Sequence, residues 1–353
     1  MKRKSAAIQT CASLGARSST AALGACEQIW HRTRPSSGTP FFCATKPPAD
    51  YDEQKRRIDE FCSAFADTDE RVVLITVEEI CLDQDQTSRY FLDQGYAVLF
   101  LFRSTSLQPF VRRFKPGELL SYLHFASGDD SCIQVCADAV PKVRPILEGY
   151  QRAMAEGTGR PRLLQVSFTS LTDYLFLLKA CAVALRPLGS RALLYLAAAV
   201  SDFYVPPENM PEHKIHSDAG PLQLRLHLVP KMLKPLICCW NPAAYVVSFK
   251  LETDENILLD KARRALATYK HKASLVIGNE LHSRKHRVVF VTSDDHEVIN
   301  LTPEQVAAGV EIEQIIVEKL LKRHTEHIRN SPARRFSSTV SITGESVSDS
   351  TLP

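Results

Sequence analysis

The stretch from Leu194 to Thr253 holds the side chains best suited to handling a charged reactant. An apolar run, Leu193 to Leu196, passes into Ala197, Ala198, Ala199 and Val200 and then reaches Asp202. Small side chains just past a strand let a ligand approach the backbone, and open α/β sheets bind ligands outside the carboxyl ends of their strands. Lys214 follows on a polar connection, and a second apolar run ends at Phe249 and Lys250. One carboxylate and one ammonium at such an edge would suit an anionic substrate loaded with a divalent metal. A hard oxygen such as that of Asp202 favours Mg2+, although no complete ligand set is legible. Asn279 ends a further strand-like run and adds an amide at the same edge. Each residue has a plainer use: the aspartate and asparagine as turn caps, the lysine as a solvated surface group, the phenylalanine as core.

The elements that must position these groups alternate along the chain. Strand-like runs fall at 71–76, 97–102, 163–168, 193–196, 245–249, 275–277 and 288–291. Between and around them, apolar residues at three- and four-residue spacing predict helices over 52–65, 142–156, 171–185, 255–269 and 310–327. Such alternation predicts an α/β fold, a Rossmann-like, doubly wound and mostly parallel sheet. The segment LQLRLHL, Leu222 to Leu228, alternates strictly and predicts a strand with one wet face in a small, separate strand region.

Composition narrows the class. At 353 residues, 44% hydrophobic and 24% charged, the chain is long enough to bury a full core. A net charge of +3 does not point to nucleic acid, and no apolar run approaches the roughly 20 residues that cross a bilayer. Ten cysteines occur without a CxxC pair or the histidine spacing of a zinc site, so they read as free thiols in a reducing compartment, which fits the cytoplasm. Residues 1–49 carry seven Lys or Arg and one acid, Glu27, among many Ser and Ala. That bias reads as a disordered extension or a targeting leader, which makes mitochondrial delivery the alternative. Residues 50–329 read as one α/β domain and 330–353 as a disordered Ser-rich tail.

Several ordered motifs then converge. AAAVSDFYVP, MPEHKI followed by GPL, VPKML, VSFKLETD, a KAR helix and the strand-end Asn279 resemble, over roughly 96–328, the eukaryotic phosphopantothenate–cysteine ligases. The resemblance implies a coenzyme A biosynthesis enzyme that joins cysteine to 4'-phosphopantothenate through an acyl-nucleotidylate. ATP would be the co-substrate, with CTP possible, Mg2+ the metal, and a homodimer the assembly. It further implies that Ala198, Ala199 and Asp202 lie at the nucleotide and phosphopantothenate site and that Lys214 and Asp202 act in catalysis. Phe249 would pack near the base, the turn from Val229 to Leu233 and Asn279 would contact nucleotide, and Lys270 and Lys272 are weaker phosphate candidates.

One stretch departs from the pattern. Family members follow the first strand with a Gly-rich turn and an Asn-Phe-Ser-Ser-Gly segment, whereas here no glycine or asparagine occurs between Tyr51 and Gln94. Phosphate-cradling turns use positive φ and unobstructed N–H groups, and Glu78 and Glu79 would repel a triphosphate. A non-catalytic family member acting as a binding or regulatory partner is therefore the alternative reading.

Overall fold

The computed structural model describes residues 41–331 apart from 79–83, 107, 112–113, 116, 127–128, 155–158, 207–208, 212, 214, 217–219, 221, 254 and 270–273. In chain order the elements are α1 (Phe41–Ala44), α2 (Tyr51–Ser63), β1 (Val72–Val77), α3 (Gln84–Asp93), β2 (Ala97–Arg103), α4 (Glu118–Ser121), β3 (Leu123–Ala126), β4 (Asp129–Val135), α5 (Val140–Ala153), β5 (Leu163–Phe168) and α6 (Leu171–Ala184). There follow β6 (Ala192–Leu196), β7 (Phe203–Tyr204), β8 (His227–Leu228), α7 (Leu233–Pro235), β9 (Tyr245–Glu252), α8 (Glu255–Tyr269), β10 (Ser274–Glu280), β11 (Arg287–Val291), β12 (His296–Asn300), α9 (Pro303–Ala307) and α10 (Ile312–Asn330).

Eight strands form one sheet in the order β12-β11-β10-β9-β6-β1-β2-β5. The six from β10 to β5 are parallel, and β11 and β12 add antiparallel neighbours. Counting only the parallel strands along the chain, their spatial order is the 3-2-1-4-5-6 of doubly wound dinucleotide folds. Every residue of β1, VVLITV, is buried, as expected of a central strand covered on both faces. The alternating side chains feed two cores. Val73, Ile75, Leu193, Tyr195, Val247 and Ile277 face one of them, with residues of α3, α5 and α10. Val72, Leu74, Leu194 and Val246 face the other, with α2 and α6, while Val276 on that side meets α8.

Helix α6 shows how local sequence serves this plan. Ser170 accepts the Asp173 N–H at 3.1 Å, and the Asp173 carboxylate accepts the Ser170 N–H at 2.9 Å, so two orphan amide donors are satisfied. Past that cap the helix is apolar nearly all round, because it is wedged between α2 and the sheet.

Strand and helix expectations hold within a few residues, with several additions and one correction. The helices α1, α3, α4, α7 and α9, the β3/β4 ribbon, β7 and β12 were not foreseen. The strand expected over Leu222 to Leu228 is reduced to His227–Leu228, paired with Phe203–Tyr204. Leu222, Leu224, Leu226 and Leu228 are all exposed. Alternation supplied the strand pattern, but no longer partner strand borders it among the described residues, and a ladder needs both edges.

At the amino-terminal end of the sheet, His324 of α10 is fully buried. Its Nδ1 accepts from the Tyr96 hydroxyl at 2.8 Å, and its Nε2 donates to the Ser190 carbonyl at 2.9 Å. Burial pushes its pKa down to about 3, so the ring is neutral in the folded protein.

Candidate functional site

Crossovers leave β1 and β6 in opposite directions, which opens a crevice outside their carboxyl ends. Those of the groups singled out from the sequence that are described lie at that end of the sheet. The Ala198 N–H donates to Thr76 Oγ1 at 3.2 Å, and the same threonine bonds the buried Tyr174 hydroxyl, so the alanine turn is tied to β1 and α6. Ala199 and Asp202 then emerge into solvent.

Asp202 is held by a second loop. Its carbonyl accepts the Val229 N–H at 2.9 Å, β7 and β8 pair immediately beyond, and its carboxylate forms an ion pair with Lys231. The hydrogen bond and charge of Lys231, with a smaller contribution from Lys250, hold the Asp202 carboxyl below the usual carboxylate range. Both side chains of the pair are 67% exposed, so each remains open to a ligand.

Next to them, Glu252 is nearly enclosed and pairs with Lys250 at 3.2 Å and Lys261 at 2.7 Å. Burial opposes its ionisation, and the two ammonium groups overcome that and keep its carboxyl low. Three cations and two carboxylates thus share this part of the edge, leaving a net positive field suited to an anion.

Strand periodicity puts the uncharged groups on the opposite face. Phe249 lies half-buried with its ring edge-on to Tyr195, centroids 4.8 Å apart. It pairs in register with Ile277, and Asn279 stands two residues further toward the edge, opposite Leu251. Asn279 is only 1% exposed, yet neither its amide oxygen nor its amide nitrogen has a hydrogen-bond partner. An unmet buried polar group costs about 1–3 kcal/mol, so a side chain keeping two of them is suited to bonding something that arrives from outside.

Comparisons with known proteins bear on this arrangement. Residues 180–321 match the family model described as DNA/pantothenate metabolism flavoprotein C-terminal domain. Phosphopantothenate--cysteine ligase of Mus musculus is 48% identical over 245 residues, 69% of this chain and 77% of the mouse protein. The Homo sapiens protein of the same name is 47% identical over 241 residues, 67% of this chain and 76% of its own length. The chain belongs to the phosphopantothenate–cysteine ligases.

A solved structure of a histidine-to-alanine mutant of Cab2, 32% identical, superposes with a TM-score of 0.71 over 83% of this chain and 98% of its own. A complex of that mutant with phosphopantothenate-cysteine, 31% identical, gives 0.70 over 85% and 99%. As a phosphopantothenate–cysteine ligase, the chain shows where the family's motifs lead. Ala198, Ala199, Asp202, Phe249 and Asn279 gather at one end of one sheet, the last two on the face opposite Lys250 and Glu252. Lys214 lies outside the described residues, as do Lys270 and Lys272.

Three contributors were not read from sequence. Lys231 was visible only as part of the VPKML turn, and its partner is 29 residues away. Glu252 lies two residues after Lys250, a strand spacing that signals a shared face. Thr76 carried no signal beyond ending the first strand. The six-residue connection after Val77 begins with Glu78, which pairs with Arg103 at 3.3 Å, and continues through undescribed residues to α3.

Proposed function

We propose that this chain ligates L-cysteine to 4'-phosphopantothenate in coenzyme A biosynthesis, using a nucleoside triphosphate, ATP before CTP. The observation that carries the reading is Asn279, buried with both ends of its amide unmet beside Phe249 at the carboxyl edge. A nucleotide would stack against the Phe249 side and satisfy the amide, while its phosphates would reach Lys231 and Lys250. The phosphopantothenate carboxylate would attack the α-phosphorus, releasing pyrophosphate and leaving an acyl-nucleotidylate. The cysteine amine would then attack the acyl carbon, expelling the nucleoside monophosphate and losing a proton. Both steps bring anions together, so fixed cations at this edge lower the barrier in the way preorganised charge does elsewhere.

Among the described residues no three His, Cys, Asp or Glu side chains stand together as a metal cage. Mg2+ would arrive on the triphosphate, with Asp202 as a hard-oxygen ligand from the protein, the usual sparse ligation of that ion. Bound there, it would neutralise phosphate charge. Lys214, outside the described residues, remains in the proposal as a catalytic ammonium.

The exposed alternate leucines Leu222, Leu224, Leu226 and Leu228 favour a homodimer in which a second copy covers that face. Light scattering showing a monomer at micromolar concentration would exclude it. Among the described residues no helix is long and apolar enough to cross a membrane.

A second reading rests on Glu78, the first residue past β1, in a connection with no glycine. In that reading the chain keeps the fold and binds ligand or partner without turnover. Purified protein mixed with phosphopantothenate, cysteine, ATP and Mg2+ separates the two. Pyrophosphate release above a no-enzyme control supports ligation; none, from folded protein that still binds ATP, supports the second reading.

A further inference from the structure

Phe41 and Phe42 stand at the start of the described chain, far in sequence from every residue of the site, yet both pack beneath it. Phe41 is only 5% exposed. Its ring meets Tyr204 edge-on with centroids 6.2 Å apart, and Tyr204 is two residues past Asp202. Phe42 meets Phe176 of α6 at 5.0 Å and Trp240 at 6.0 Å, both edge-on, and the Lys179 ammonium lies 4.9 Å from its centroid. The same core takes in Val229 and Met232 from the Lys231 loop, and Ala198, Val200 and Tyr204 pack against it from the Asp202 loop. Both loops therefore rest on one aromatic floor, and the floor includes a segment that precedes the first strand.

We propose that Phe41 and Phe42 are positioning residues for the reaction centre, setting the relative placement of the Asp202 and Lys231 loops. Edge-to-face rings prefer defined geometries, so they fix a loop's direction more sharply than aliphatic contacts do. Phe249 rests on the opposite core, Asn279 lies on the same face of the sheet, and both would be unaffected. The expected signature is one-sided: the charged half of the site loosens while the Phe249 and Asn279 half stays in place.

The test uses the full chain carrying Phe41→Ala and Phe42→Ala together, a Phe41→Leu/Phe42→Leu pair that keeps apolar volume, and Phe61→Leu as a control at the far end of α2. The inference rests on the ligase reading for its kinetic arm only; a second arm follows hydrogen exchange of the Val229 amide, which is bonded to the Asp202 carbonyl. Expected for the alanine pair are a fall in kcat at saturating substrates on the order of tenfold and Val229 exchange faster by about tenfold. The leucine pair should fall between, and the control should match wild type. A lowered Tm with kinetics and Val229 exchange as in wild type would overturn the proposal, because the rings would then be ordinary core. If the alanine pair does not fold, the leucine pair decides by the same criteria. If wild type releases no pyrophosphate, the ligase reading fails by itself, and unchanged Val229 exchange would still defeat the positioning role.

Discussion

Asn279→Leu should make the protein more stable and less active. The side chain is enclosed at 1% exposure with its carbonyl oxygen and its amide nitrogen both unmet. Each unmet group costs about 1–3 kcal/mol, and leucine has nearly the same shape, so removing both should stabilise the ligand-free protein by roughly 2–6 kcal/mol. In a domain of this size about 1 kcal/mol corresponds to roughly 2–4 °C, so Tm should rise by at least about 4 °C. Under the ligase reading the same change deletes two bonds to nucleotide. That should lower kcat/KM for ATP by roughly one to two orders of magnitude. Calorimetry without ligand, repeated with ATP and Mg2+, checks both halves. Wild type should gain Tm on adding nucleotide, whereas the variant should gain little, since stabilisation by a ligand scales with its affinity for the folded state. A variant that melts below wild type, or that keeps full activity, would refute the reasoning.

Lys231→Met should return the Asp202 carboxyl toward its ordinary range, because the hydrogen bond and charge that hold it low would be gone. The acid limb of the pH–rate profile should then move to higher pH, and an unmoved limb would detach Asp202 from the rate. Thr76→Val should leave the Ala198 N–H without its acceptor and cost about 1 kcal/mol, visible as a lower urea midpoint at unchanged m. For His324 the folded pKa, near 3, lies below the ordinary value of 6.5, so the unfolded chain binds the extra proton first as pH falls. Its stabilising contribution should be complete above about pH 6.5 and should drain away between there and about pH 3, by up to roughly 5 kcal/mol. His324→Phe should flatten that slope in urea titrations from pH 7 to 4.

The parallel core was legible because burial on both faces forces a recognisable composition. VVLITV and AVLFLF cannot be wet strands, and the S-x-x-D before α6 marks its start. Helix α3 was not legible for the converse reason. Gln86, Thr87 and Ser88 are buried polar residues, so the apolar period that announces a helix is diluted where the helix packs most closely. LQLRLHL misled because alternation reports how a segment could pair, while a strand also needs a neighbour, and the neighbour present spans two residues. In the candidate site, Asp202 and Phe249 were read from motif order, which carries no record of what each side chain meets. The Lys231 partner of Asp202 and the missing partners of Asn279 are properties of packing between distant segments.

The two halves of the candidate site follow from strand geometry. Phe249 and Lys250 are adjacent on β9, so their side chains leave opposite faces, and the register pairs them with Ile277 and Gly278. The aromatic and the charged groups are thereby one residue apart in sequence and separated by the thickness of a sheet. Such a division demands that β10 keep its register, since a slip of one residue would exchange the faces and carry Asn279 to the lysine side. Gly278 bears on this directly. A Cβ there would lie 3.1 Å from Leu258 Cγ, so α8 sits closer to the strand at this point than a side chain would comfortably permit. With Leu258 seated against the glycine, shifting the strand by one position would drive either Ile277 or Asn279 into the helix. The close contact that leaves no room for a methyl group thus opposes the slip, and the placement of Asn279 beside Phe249 depends on it.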